Sequence, residues 1–187
     1  ALLDPGDEVI IPKPYWVSYP EMVRLAGGVP VFAVGPEKND YKLTPEILRS
    51  ALTPRTRMFI LNTPSNPSGV TYHPEEVRAL AQILQERDLI VLSDEIYDRL
   101  LYDGQKTLSY AAAGERAYAQ TLTCNSASKT YAMTGWRLGY AAGPVEIIKA
   151  MAKLQSQSTS GAATFSQIAY ATALSKPLPA TSPTNAA

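Results

Sequence analysis

Residues 58–97 read MFILNTPSNPSGVTYHPEEVRALAQILQERDLIVLSDEIY, and the changes of pattern along them decide the fold. MFIL (58–61) is a short, wholly apolar run of the kind that forms a strand buried on both faces. NTPSNPSG follows, a loop dense in prolines, serines and asparagines. The period then becomes helical. Pro74 stands at the start, Glu75 and Glu76 in the first turn, then Val77, Leu80, Ala81 and Leu84 at helical spacing, which predicts a helix over 73–87. LIVL (89–92) is a second buried strand and ends in SDEIY. Strand, helix and strand in this order predict a layered α/β domain with a mainly parallel sheet.

The same alternation continues on both sides. DEVII (7–11) reads as a strand closed by Pro12 and Pro14. Residues 15–26 read as a helix with Val17, Met22, Val23 and Ala26 on a loose apolar face, ended by Gly27-Gly28. VPVFAV (29–34) is a strand whose early Pro30 favours a sheet edge. Thr44 before Pro45 is an N-cap signal for a helix reaching about residue 52. Further on, TLTC (121–124) leads into NSASK, LGYAA (138–142) is a strand, and 144–157 is a helix with Val145, Ile148, Met151 and Leu154 on one face. No short repeat period is present, which argues against a solenoid. In open α/β sheets ligands bind beyond the carboxyl ends of the strands. NTPSNPSG, SDEIY and NSASK all fall there.

The 187 residues are 45% hydrophobic and 18% charged, a globular composition. Lys+Arg and Asp+Glu both number 17, so no electrostatic footprint points to nucleic acid or an anionic membrane. A lone cysteine, Cys124, excludes an intramolecular disulfide and fits a reducing compartment, so a cytoplasmic location is expected. With His73 the only histidine, a zinc site of several Cys and His is excluded, and no carboxylate cluster suggests another metal. No apolar run approaches a membrane span, and no signal segment opens the sequence. ALLDPGDEVII reads as a helix end, a turn and a strand. SKPLPATSPTNAA (175–187) reads as a disordered tail. The expectation is therefore a piece of a larger protein: residues 1–174 an incomplete domain, residues 175–187 a tail.

The candidate site residues are ambiguous one by one. Lys129 is an ordinary loop lysine or, at a strand end inside a pocket, a Schiff-base amine. Arg137 offers a planar bidentate donor for a phosphate, or a structural ion pair. Ser126 and Ser128 donate to the same anion or simply make turns. Asp94 holds a ring nitrogen in its protonated form, or caps a turn. Tyr97 and Asn66 supply a phenol and an amide from constrained loops, and Trp16 a flat aromatic face. Together they meet the needs of pyridoxal 5′-phosphate (PLP) held by a lysine.

DPGDEVIIPKPYWVSYPEM, NTPSNPSG, SDEIYDRLLYDG and SASKTYAMTGWRLGYAAGP, in series and at natural spacings, resemble the class I/II PLP-dependent aminotransferases of fold type I. Within that family the pattern is most similar to the bacterial-type aspartate aminotransferases, over roughly residues 1–174. The resemblance implies a three-layer α/β/α large domain, incomplete here, with one antiparallel strand in its parallel sheet. It implies that Lys129 forms the aldimine and shuttles the substrate Cα proton, and that Asp94 pairs with the pyridinium nitrogen. Tyr97 and Asn66 bind the ring oxygen, Arg137 and Ser126 the phosphate, and Trp16 stacks on the ring. Asn66 and Trp16 also face the substrate. The implied reaction moves an amino group between an amino acid, aspartate in the first place, and a 2-oxo acid, in a homodimer. The peptides Lys13–Pro14 and Asn66–Pro67 are expected to be cis.

A complete family member is about twice this length and carries elsewhere further phosphate contacts and the arginine that clamps the substrate carboxylate. Little or no transaminase activity is therefore expected of these residues alone. Other readings share the motifs: a C–S lyase, an aminocyclopropane carboxylate synthase-like enzyme, a sensor domain of a regulator, or a non-catalytic PLP-binding fragment. The sequence AMTGWR leans towards the aspartate group.

Overall fold

The structure is a computed structural model and describes residues 2–176. The part of the expected tail from residue 177 onward lies outside the described residues. Six strands form one sheet: β1 (Glu8–Lys13), β2 (Val29–Val34), β3 (Thr56–Asn62), β4 (Ile90–Asp94), β5 (Thr121–Ser126) and β6 (Gly139–Ala142). Their order is β2-β1-β3-β4-β5-β6. The first five run parallel, and β6 pairs antiparallel with β5 through Asn125↔Tyr140 and Ser126↔Gly139. This is the mainly parallel sheet with one antiparallel strand that the resemblance implied.

The helices among the described residues are α1 (Ser18–Leu25), α2 (Pro45–Ala51), α3 (Pro74–Leu84), α4 (Glu115–Gln120), α5 (Ala127–Thr130), α6 (Val145–Ser156) and α7 (Thr164–Leu174). None is long and apolar enough to cross a membrane. Alternation along the strands splits the core in two, because successive side chains leave opposite faces. Ile10, Phe59, Leu61 and Val91 pack with Leu48 of α2, with Val77, Leu80 and Leu84 of α3, and with Ala117 of α4. Val9, Ile11, Met58 and Ile60 pack on the other face with Tyr19 and Val23 of α1. Helices thus cover both faces, with the thicker cover on the α2–α3 side.

Local chemistry explains where the elements begin and end. Thr44 caps α2, its side chain accepting from the Ile47 N–H, and Pro45 occupies the first turn. Glu76 reaches back to accept the His73 N–H at 2.8 Å, which starts α3 one residue later than the pattern predicts. α3 ends at Leu84, where Gln85, Glu86 and Arg87 continue as a turn. Pro30 lies in β2, an edge strand, as its missing N–H demands.

Other boundaries differ from the sequence expectation. Pro12 does not close β1, which runs on to Lys13. The pairing of β1 with β3 ends at Ile10↔Phe59, so Pro12 lies where the strand has β2 alone as a neighbour, and its missing donor costs no ladder bond on the other side. α1 starts at Ser18 instead of residue 15, leaving Trp16 in the loop that joins it to β1. The sequence reading assigned neither α4 nor α7. The peptides Lys13–Pro14 and Asn66–Pro67 are cis as expected, and Thr63–Pro64 is cis as well.

Candidate active site

The carboxyl ends of β1, β3, β4 and β5, four neighbours in the sheet, release their chains on the same side. β1 leads to Trp16 and the first turn of α1. β3 ends at Asn62 and leads to Asn66. β4 ends at Asp94 with Tyr97 three residues on, and β5 ends at Ser126 with Lys129 in the short helix that follows. One cleft of about 280 Å³ is lined by Trp16, Asn66, Asp94, Tyr97, Ser128, Lys129 and Arg137, seven of the eight residues singled out from sequence. The eighth, Ser126, is not on the wall. Its Oγ accepts the Ser128 N–H at 3.1 Å and caps α5, while Ser128 takes a place on the lining.

Asp94 is the last residue of β4 and is held from several directions. Its Oδ1 accepts the Ile96 N–H at 3.2 Å, and its Oδ2 accepts the Tyr19 hydroxyl at 2.5 Å. Its backbone carbonyl accepts from Nδ2 of Asn62 at 3.0 Å. The Oδ1 of Asn62 in turn accepts the Asn66 N–H at 2.8 Å. Asn62 therefore ties the end of β4 to the loop that carries Asn66. That loop is closed on itself by Gly69 N–H to the Ser65 carbonyl at 2.8 Å and by Ser65 N–H to the Val70 carbonyl at 2.9 Å.

Lys129 Nζ stands 5.7 Å from the centroid of the Tyr97 ring, within the range of a cation–π contact. Arg137 follows a short 3₁₀ turn (Thr134–Trp136) in a left-handed backbone conformation, φ 52°. One of its guanidinium nitrogens donates to the Thr134 carbonyl at 2.9 Å. The indole of Trp16 meets Tyr19 edge-on, with centroids 5.4 Å apart at 88°. Burial, followed by the charge of Asp94, pushes the Tyr19 phenol far above its ordinary range, so it remains a donor.

Sequence reasoning missed Tyr19, Asn62, Ile96 and Thr134 on the lining. Two signals were present. Tyr19 is one helical turn beyond Trp16, and Asn62 is the polar residue at which the MFIL run stops.

The doubly wound α/β sheet thus gathers a lysine, a carboxylate, a phenol, an amide, an indole and a guanidinium around one strand-end cleft. The family model of aminotransferase classes I and II matches residues 1–184, and the chain belongs to that family. It is 53% identical over 177 residues to an aspartate aminotransferase of Geobacillus stearothermophilus, covering 95% of this chain and 45% of that protein. It is 52% identical to an aspartate/prephenate aminotransferase of Cereibacter sphaeroides, covering 95% and 44%. The crystal structure of the aspartate aminotransferase from Rhizobium meliloti superposes with a TM-score of 0.91 at 47% identity, covering 94% and 44%. That of the Thermus thermophilus aspartate aminotransferase with maleate gives 0.86 at 50%, covering 92% and 44%. The chain thus spans less than half the length of these relatives.

Members of this family depend on PLP. The donor set fits that group: an amine for its aldehyde, a carboxylate for its ring nitrogen, a phenol and an amide for its ring oxygen, an aromatic face, and hydroxyl and guanidinium donors for its phosphate.

Proposed function

We propose that this chain is the cofactor-holding part of an aminotransferase that moves an amino group between an amino acid and a 2-oxo acid. The observation that carries this reading is the meeting of Lys129, Asp94, Tyr97, Asn66, Trp16 and Arg137 in one cleft at four adjacent strand ends. Residues 1–174 form the partial large domain. Aspartate is the leading amino donor. The names of the relatives support this choice, and maleate in the Thermus thermophilus structure supports a dicarboxylate. We place the whole protein in the cytoplasm as a homodimer.

Bound in the cleft, PLP supplies the electron sink that weakens the substrate Cα–H bond. Lys129 would be the amine that anchors it and the base that takes and returns the proton at the substrate Cα. The Asp94 carboxylate holds a proton at the ring nitrogen. The Tyr97 hydroxyl and the Asn66 amide donate to the ring oxygen, and the amide also contacts the substrate carboxylate. Arg137 would bind the phosphate through paired N–H donors, aided by the hydroxyl of Ser128, which lines the cleft where Ser126 does not. Trp16 covers the ring face and keeps water from it.

Mixing the chain with PLP tests this directly. The wild type is expected to develop a visible absorption band that Lys129→Ala abolishes. A wild-type chain without that band would overturn the reading. Turnover of aspartate and 2-oxoglutarate by these 187 residues alone is expected to be negligible, because the chain covers only 45% of the Geobacillus stearothermophilus relative. Measurable turnover would show that the site is complete without the rest.

A further inference from the structure

Tyr19 makes a contact that its place in a helix does not require. Its ring is 4% exposed and packs in the core beneath α1, where a phenylalanine would fill the same space. Its hydroxyl nevertheless crosses from α1 to the end of β4, 75 residues away in sequence, to reach Asp94 Oδ2 at 2.5 Å. The second carboxylate oxygen is taken by the Ile96 N–H. Among the described residues no lysine, arginine or histidine forms an ion pair with Asp94. The rotamer of this carboxylate therefore rests on two hydrogen bonds, one local and one from a distant element. The first turn of α1 and the loop before it thus deliver two groups to the site at a spacing of three residues: the indole of Trp16 and the phenol of Tyr19.

We infer that Tyr19 is a positioning residue, whose hydroxyl fixes Asp94 so that the carboxylate is aimed at the ring nitrogen of the cofactor. The inference rests on the cofactor reading above. A charge-assisted O–H···O⁻ bond is directional and stronger than a neutral one, so it holds a side chain in one rotamer where packing alone leaves it free to turn. Because burial and the charge of Asp94 suppress ionisation of the phenol, Tyr19 stays a donor throughout the working pH range. A carboxylate held in this way arrives at the ring nitrogen without reorganising, which is what supporting residues contribute to a site.

Tyr19→Phe keeps the ring and removes only the donor. The first readout needs no cofactor. The wild-type chain is expected to show a downfield, slowly exchanging hydroxyl proton by NMR that is absent from both Tyr19→Phe and Asp94→Ala. The second readout is PLP titration. Tyr19→Phe is expected to melt within a few degrees of wild type, to bind PLP about tenfold more weakly, or about 1.4 kcal/mol, and to shift the pH midpoint of the Lys129-dependent band. Packing alone would not move that midpoint. Unchanged affinity and midpoint in Tyr19→Phe would overturn the inference, as would a wild-type chain without the hydroxyl resonance. A resonance without any Lys129-dependent band would instead sink the cofactor reading and leave the Tyr19–Asp94 pair standing.

Discussion

Gly139 opens β6 opposite Ser126, and there is no room there for a side chain. A Cβ at this position would lie 2.9 Å from the Asn125 carbonyl oxygen and 3.2 Å from the Ser126 Cβ. The first distance is about 0.5 Å short of the 3.4 Å at which ordinary contact begins. The obstacle is backbone, so it cannot swing aside. In Gly139→Ala the entry of β6 must move off β5 by roughly that amount. The displacement falls between Ser126 and Lys129 on one side and Arg137 on the other, the segments proposed to hold the cofactor. Overpacking of this kind costs about 1–3 kcal/mol, and each kcal/mol lowers the melting temperature of a chain this size by about 2–4 °C. Half an ångström of misplacement at a paired phosphate site is expected to weaken PLP binding roughly tenfold. Gly143→Ala is the control. Its Cβ would lie 2.7 Å from the Thr121 carbonyl, just beyond the other end of β6 and away from Arg137. Both variants should lose thermal stability, read by circular dichroism. Gly139→Ala alone should lose PLP affinity, read by titration of the absorption band. Equal affinities for Gly139→Ala and wild type, or an equal loss in both variants, would refute the idea that the start of β6 sets the position of Arg137.

Two further substitutions test the supports of the site. Asn62→Ala removes the acceptor for the Asn66 N–H and the donor to the Asp94 carbonyl together. It is expected to cost about 1–3 kcal/mol by chemical denaturation and to weaken PLP binding, and unchanged stability and affinity would show that neither bond supports the site. Glu95 accepts hydroxyl bonds from Ser93 at 2.8 Å and Ser109 at 2.7 Å, yet burial raises its carboxyl above the ordinary carboxylate value of 4.5. An acid whose folded value is raised stabilises the fold fully below its unfolded value and loses that contribution as pH rises through the folded one. The melting temperature of wild type relative to Glu95→Gln should therefore fall as pH climbs from about 4.5. Glu8 acts in the opposite sense, its carboxyl lowered by the hydroxyl of Thr53 and the guanidinium of Arg55. The difference between wild type and Glu95→Gln, measured by a pH series of melts, is thus the informative quantity. A difference that does not change with pH would show that Glu95 is not penalised by burial.

Elements with a strong, simple period were legible from residue types. β3 and β4 announced themselves as apolar runs because a central parallel strand is buried on both faces. α3 was visible because one face meets the sheet and the other meets water. α7 was not, because Phe165, Ile168, Ala169, Ala171 and Ala173 are spread around it and leave no stripe. Phe165 and Ile168 are in fact exposed. α4, with six residues, is too short to show a period. The boundary of β1 was misjudged because the effect of a proline depends on which side of the strand has a neighbour.

The residue sequence by itself determined the alternation of strands and helices and the chemical kinds gathered for the site: lysine, carboxylate, phenol, amide, indole and guanidinium. These follow from local patterns and motif spacing, which need no knowledge of what lies across the sheet. Only the tertiary structure decided the strand order, and with it which strand ends become neighbours. It also decided that Tyr19, rather than a cation, holds Asp94, that Asn62 joins two loops, and that Ser126 turns to cap α5 while Ser128 faces the cleft. The reason is one of range. A hydrogen bond needs its partners within about 3 Å, and residues 19 and 94 or 62 and 94 come that close only after the sheet has brought β1, β3 and β4 side by side.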